Sequence, residues 1–170
     1  MRLFIAVNFN NDTKSRLLAL RDELREGSTD GNFSLPENLH LTLVFLGECD
    51  ERQAAAAKSA IDKVDFGPFD IAFDRIGRFK RDGGDIWWVG LRESKALLEL
   101  QGELTEELVA ARFELEKRKY SAHVTLGRRV ETNMRPRALE PFGETAAAID
   151  LMKSERINGK LKYTSIHRRT

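Results

Sequence analysis

The chain has 170 residues, 41% hydrophobic and 32% charged, with four prolines and one cysteine. That describes one globular domain over residues 1–170 and excludes a disordered, collagen-like or disulfide-stapled chain. Its 28 Lys and Arg against 27 Asp and Glu leave a net charge of +1, so the whole-molecule field is weak and a role in coating or packaging nucleic acid is disfavoured.

Residues 2–9, RLFIAVNF, read as a buried strand. Behind an Asn-Asp start, residues 12–26 carry Leu17, Leu20 and Leu24 at helical spacing. After a break at EGSTDGN, Leu39, Leu41, Leu43 and Phe45 alternate with His40, Thr42, Val44 and Leu46. A strand with one core face has this pattern, and it puts His40 and Thr42 together on the other face. A helix is expected over 51–64, then a strand in FDIAFDRIGRF, a turn at RDGGD and a strand in DIWWVGL. From Ser94 the helical period returns, with Leu97, Leu100, Leu104, Leu108 and Ala111 on one stripe. A short strand, AHVTLGR, follows, then a Pro-containing loop, then two strands near 146–156 and 160–168 turned by Asn158-Gly159.

The order strand, Leu-rich helix, His-containing strand occurs twice. LLALRDEL (17–24) and LLELQGEL (97–104) share one pattern at an offset of 80 residues, and His40 and His123 lie 83 apart. The expected fold is therefore α+β: a bilobal internal duplication with two antiparallel-type sheets facing a central cleft and helices on the outside.

Two of the three histidines open the same tetrapeptide pattern, His40-Leu41-Thr42-Leu43 and His123-Val124-Thr125-Leu126. With nine Thr and 21 Leu in the chain, two such matches by chance are on the order of one in 10⁴. Residues i and i+2 of a strand point the same way, so each motif presents an imidazole and a hydroxyl on one face. Two such faces across a pseudo-dyad make a four-residue polar pocket. Paired imidazoles suit proton transfer near neutrality, one accepting and one donating. The two hydroxyls can donate to the nonbridging oxygens of a tetrahedral anion, which fits in-line displacement at phosphorus. Two imidazoles with no carboxylate at ligand spacing are too few for a zinc site, so no metal and no cofactor are expected.

These residues resemble the two-histidine phosphoesterases, and within them the bacterial and archaeal RNA 2',3'-cyclic phosphodiesterases, the 2'-5' RNA ligase or LigT-like group. The resemblance runs through RLFIAV, PENLHLTLVFLGE, IWWVGL, AHVTLGR and KSERINGKLKYT. It implies a bilobal cleft with His40 and His123 as the catalytic pair, His40 as acid and His123 as base, and Thr42 and Thr125 on the phosphate. It also implies a phosphate contact from Arg128, although strict alternation turns Arg129, not Arg128, toward His123's face unless the strand bulges. The implied activity is metal-independent hydrolysis of RNA or nucleotide 2',3'-cyclic phosphates to 2'-phosphomonoesters. A binding module using the same cleft without turnover, or 2'-5' joining of RNA ends, are the competing readings.

The expected partners are RNA ends or small cyclic nucleotides as substrate, with the protein a monomer. Cys49 has no internal partner, the start MRLFIAVNFNND is too short an apolar run for a secretory signal, and no segment reaches the ~18 apolar residues that span a bilayer. A cytoplasmic protein without membrane contact is expected. Arg75, Arg78, Lys80 and Arg81 around Phe79 form a basic loop that reads either as a rim for RNA phosphates or as solvated surface, and Lys160, Lys162, Arg168 and Arg169 make the C-terminal end basic. Phe9, Trp87 and Trp88 are candidates for stacking a base, against the alternative of core packing. Cys49 reads as structural and His167 as an exposed strand residue.

Overall fold

The computed structural model describes residues 1–170. In chain order it contains β1 (Arg2–Val7), α1 (Asn11–Glu26), β2 (Ser28–Phe33), a 3-10 turn (Pro36–Asn38), β3 (Leu41–Glu48), α2 (Glu51–Lys63), β4 (Phe69–Phe79), β5 (Asp85–Leu91), α3 (Lys95–Ala110), β6 (His123–Thr132), β7 (Arg137–Ala146), β8 (Ile149–Ile157) and β9 (Lys160–Arg169). All pairings are antiparallel. They form a four-stranded sheet, β3-β1-β8-β9, and a five-stranded sheet, β2-β6-β5-β4-β7.

The duplication is visible in that order. In each sheet the strand after the histidine pairs with a central strand that precedes it by one helix: β3 with β1, across α1, and β6 with β5, across α3. Two more strands complete each half, β8-β9 in one and β4-β7 in the other, and β2 is an addition beside β6. The helices start where their sequences say they should. Asn10 and Ser94 accept from the backbone N–H groups of Thr13 and Leu97, and Asp50 with Gln53 forms a capping box. Leu17 and Leu24 of α1 and Leu97, Leu100, Leu104 and Leu108 of α3 are buried. α1 packs on β2, β6 and β7, so it crosses to the sheet that does not contain its preceding strand. α3 crosses the other way, onto β3. One continuous apolar cluster consequently includes residues of both sheets. No helix is long and apolar enough to cross a membrane.

Three details depart from the sequence reading. The EGSTDGN break contains β2, an edge strand whose polar residues bury little; its start is tied by hydrogen bonds from Thr29 Oγ1 to the Glu131 carbonyl and from Thr132 Oγ1 to the Gly27 carbonyl. The Pro-containing loop contains β7, the opposite edge. Pro141 is tolerated there because the β4 pairing steps from Phe73↔Phe142 to Arg75↔Ala138, so Leu139, Glu140 and Pro141 bulge out of the ladder. Phe45 is not core: it is 59% exposed, because the strand bulges just before it. Ile5 pairs with Val44 and Ala6 with Thr42, which leaves Leu43 extra. Leu43 and Val44 both turn inward and Phe45 emerges on the face of Thr42.

In the five-stranded sheet Gly143 lies opposite Ala72 on β4, where a Cβ would collide with the Ile71 carbonyl oxygen. Because the obstacle is backbone, Gly143→Ala is expected to destabilise the fold by about 3 kcal/mol in urea unfolding. Gly67→Ala, whose added methyl meets only open space, should shift the midpoint little.

Candidate active site

His40 closes the turn that leads into β3, and His123 is the first residue of β6. The two imidazoles are held in the same way. Nδ1 of His40 lies 2.7 Å from the carbonyl oxygen of Asn38, and Nδ1 of His123 lies 2.8 Å from that of Ser121. A carbonyl only accepts, so each Nδ1 carries a proton and each ring presents Nε2 as its reactive nitrogen. In both cases the acceptor is two residues upstream, which ties ring orientation to local backbone geometry.

The pair is not fully symmetric. Nε2 of His40 is 2.9 Å from Oγ1 of Thr42, whereas Nε2 of His123 has no partner in the protein. Burial pushes the His40 pKa down to about 4, with the Asn38 bond opposing. His123 is also lowered, first by burial and then by the guanidinium charges of Arg128 and Arg118, with the Ser121 bond opposing. Both rings are therefore neutral near pH 7 before an anion arrives.

Hydrogen bonds from Tyr120 and Ser34 fix the backbone around both histidine motifs at this point. Tyr120, three residues before His123, donates its hydroxyl to the Thr42 carbonyl at 2.8 Å. Ser34, on the segment leading to His40, donates Oγ to the Thr125 carbonyl at 2.8 Å and its N–H to the Leu126 carbonyl at 2.8 Å. Arg21 of α1 holds the Ser34 carbonyl from behind, at 2.8 Å. Asn38 Nδ2 donates to the Leu161 carbonyl, which joins the turn before His40 to β9.

The Ser34 contacts lie on a bulge in β6. Trp88 pairs with Thr125 but Trp87 pairs with Gly127, so Leu126 is the extra residue. Leu126 and Gly127 are both buried, and Arg128 then emerges on the face of His123 and Thr125. Its charge is felt by His123 and, from the other lobe, by Tyr163 of β9. The resemblance pointed to Arg128 and strict alternation to Arg129; the bulge puts Arg128 on the histidine's face. Arg129 takes a left-handed backbone, φ 53°, with the strand's next pairing at Val130. This bulge is the counterpart of the one in β3. Position five after each histidine is thereby turned to the face of that motif's threonine, Phe45 in one lobe and Arg128 in the other.

Aromatic rings surround both imidazoles. Phe4 and Tyr163 lie 4.8 and 5.0 Å from His40, ring centre to ring centre. Phe79 and Trp88 lie 5.3 and 6.0 Å from His123. Of the three suggested base-stacking residues, Phe9 and Trp87 are buried core and only Trp88 borders the site. Phe4 and Tyr163 escaped the sequence reading because each lies far along the chain from His40, and Tyr120 and Ser34, though near a histidine in sequence, because neither belongs to a motif. Cys49 is buried with a free thiol. His167 lies outside the cleft, with Nε2 2.8 Å from Asp62 of α2. No three His, Cys, Asp or Glu side chains converge anywhere as a metal-ligand group.

The profile of the LigT like Phosphoesterase family matches residues 7–88. An RNA 2',3'-cyclic phosphodiesterase of Archaeoglobus fulgidus is 34% identical over 151 residues, covering 85% of this chain and 85% of that protein. Another, from Thermotoga maritima, is 33% identical over 75% of this chain and 70% of its own length. Among solved structures, E. coli LigT complexed with 3'-AMP superposes with a TM-score of 0.85 at 22% identity, covering 99% of this chain and 96% of that one. A Thermus thermophilus protein superposes at 0.84 with 23% identity over 99% and 96% of the two chains. The chain belongs to the LigT-like family of two-histidine phosphoesterases.

Proposed function

We propose that the protein is an RNA 2',3'-cyclic phosphodiesterase, an enzyme that opens 2',3'-cyclic phosphates on RNA ends or small nucleotides and releases 2'-phosphomonoesters. The observation that carries this reading is the matched pair of imidazoles, each with Nδ1 pinned by the carbonyl two residues upstream and Nε2 left as the reactive nitrogen, beside Thr42 in His40 and without a protein partner in His123. The family relationship to named cyclic phosphodiesterases supports it. Both halves of the site come from one chain, so a monomer suffices. The unpaired thiol of Cys49 suits the reducing cytoplasm.

In the proposed reaction the cyclic phosphate sits between the two Nε2 atoms, with Thr42, Thr125 and Arg128 donating to its nonbridging oxygens. Nε2 of neutral His123 takes a proton from water as the water oxygen attacks phosphorus. The P–O3' bond breaks on the opposite side, and protonated His40 gives its Nε2 proton to O3'. The ring is opened to a 2'-phosphomonoester, His40 is left neutral and His123 protonated, and exchange with solvent restores both. Burial first, and the guanidiniums of Arg128 and Arg118 after it, keep His123 neutral and so able to accept a proton; its assignment as base rather than His40 follows the family resemblance. The negative charge of the bound phosphodiester supplies what His40 needs to hold a proton in a buried position.

The asymmetry that selects one leaving oxygen lies at the two bulges. Phe45 offers an exposed aromatic face on one side of the cleft and Arg128 a cation on the other. A base on Phe45 and a phosphate on Arg128 leave the ribose a single orientation.

Replacing His40 or His123 by Ala should each lower hydrolysis of a 2',3'-cyclic nucleotide about 10²-fold or more in chelator-treated protein. The double variant should lose little beyond the worse single one, because the pair acts as a unit. The product separates this reading from its rivals: phosphorus NMR against authentic standards should show a single 2'-monophosphate. A 3'-monophosphate would reverse the assigned orientation, and binding without turnover would leave only a nucleotide-binding module.

A further inference from the structure

The hairpin between β4 and β5 extends the cleft past His123. On β4 the cleft face carries Gly77 and Phe79, opposite Trp88 and Ile86 of β5. Arg78, one residue out of phase, lies instead over the buried ring of Trp87, 5.7 Å from its centre, and pairs with Asp85. The basic loop read in the sequence is thus split: Arg75 lies 5.9 Å from the centre of Trp88 but is held by Asp74 and the Leu91 carbonyl, which leaves Arg81 as the member beside the site without such partners. Its guanidinium lies 5.6 Å from the centre of Phe79, and the same ring lies 5.3 Å from His123. One side chain, Phe79, separates the cation from the imidazole.

Arg81 is free to bind an anion. Its only hydrogen bond from the side chain goes to the Lys80 carbonyl, at 2.8 Å, and neither Arg81 nor Lys80 has an ion pair. The cavity at the tip, about 540 Å³, is lined by Arg78, Lys80, Arg81, Asp82 and Asp85, without an apolar residue. Asp85 is already engaged, accepting from the Arg81 N–H at 3.0 Å and facing Arg78. That leaves Asp82 as the one carboxylate opposing Lys80 and Arg81. The tip is also held in place: Gly84, at φ 119°, packs on the Arg129 backbone with no room for a Cβ.

A nucleotide at the end of an RNA strand has two phosphates flanking one ribose, the cyclic phosphate and the 5'-phosphate. Here two groups that attract phosphate flank one ring. We infer that Arg81, with Lys80 beside it, forms a second phosphate subsite that receives the 5'-phosphate of the nucleotide carrying the cyclic phosphate. The inference rests on the proposed cyclic phosphodiesterase reaction. It makes a strand end a better substrate than a nucleoside cyclic phosphate, which lacks the upstream phosphate.

The test compares kcat/KM on cytidine 2',3'-cyclic phosphate with and without a 5'-phosphate. The unaltered protein should prefer the 5'-phosphorylated compound about tenfold, the scale of one charge-assisted hydrogen bond, through KM and less so at high salt. Arg81→Ala should bring the ratio of the two values close to one, and Arg81→Lys should restore most of it. A ratio near one in the unaltered protein, or a ratio unchanged by Arg81→Ala, would overturn the subsite while leaving the cyclic phosphodiesterase reading intact. Failure to hydrolyse either compound would instead remove that reading, and the subsite with it.

Discussion

The hydrogen bond from the Tyr120 hydroxyl to the Thr42 carbonyl joins the backbone of one histidine motif to the lead-in of the other. Each motif alone is a strand with an imidazole and a hydroxyl on one face. In the proposed reaction the relative placement of the two strands is what makes those faces one phosphate site, although the two histidines are 83 residues apart in sequence. Burial keeps the Tyr120 hydroxyl protonated, pushing its pKa well above the usual phenol value, so the donor persists across the working pH range. Ser34 makes the reciprocal tie, from the approach to His40 onto the carbonyls of Thr125 and Leu126. The crossed helices reinforce both ties: α1 leaves the four-stranded sheet to cover the five-stranded one, and α3 does the reverse. Sliding one lobe on the other would break buried polar contacts and apolar packing together.

The second constraint is the repeated bulge. A strand with strict alternation would have sent Phe45 to the core and Arg128 away from His123. In both motifs the residue after threonine is inserted without a partner, two consecutive residues turn inward, and the fifth residue after the histidine re-emerges on the threonine's face. Bulges re-aim side chains in this way next to active sites. The two copies have then diverged only in what they deliver, an aromatic face from one lobe and a cation from the other. A duplicated frame with unequal tips can hold a chiral substrate in one direction although its catalytic residues are matched.

Much of this was legible in the sequence. The repeated His-x-Thr pattern located the four polar residues, and the repeated Leu-rich helices gave the two-lobed topology, because both depend on short-range periodicity. The edge strands β2 and β7 were not legible: an edge strand with few buried side chains has no apolar alternation to detect, and Pro136 and Pro141 read as loop. Phe45 was misplaced because a bulge leaves no mark in a single sequence. Arg128 was located by family resemblance against the alternation, and the bulge supplies the physical reason. Tyr163 and Phe79 were out of reach, since they meet the histidines only through the pairing of β8 with β9 and of β4 with β5.

The electrostatics follow from the same architecture. Aromatic walls and the lobe contact exclude water from His40, so its imidazole is neutral until an anion is beside it, and the cations near His123 act in the same direction there. The central claim, that both motifs serve one phosphate, can be read from the two rings themselves. NMR titration of the imidazole resonances should find His40 titrating near pH 4 and His123 below the ordinary value of about 6.5 in the free protein. Adding inorganic phosphate should raise both values together, since the anion favours each imidazolium. A phosphate that shifts one histidine and leaves the other unmoved would contradict the account.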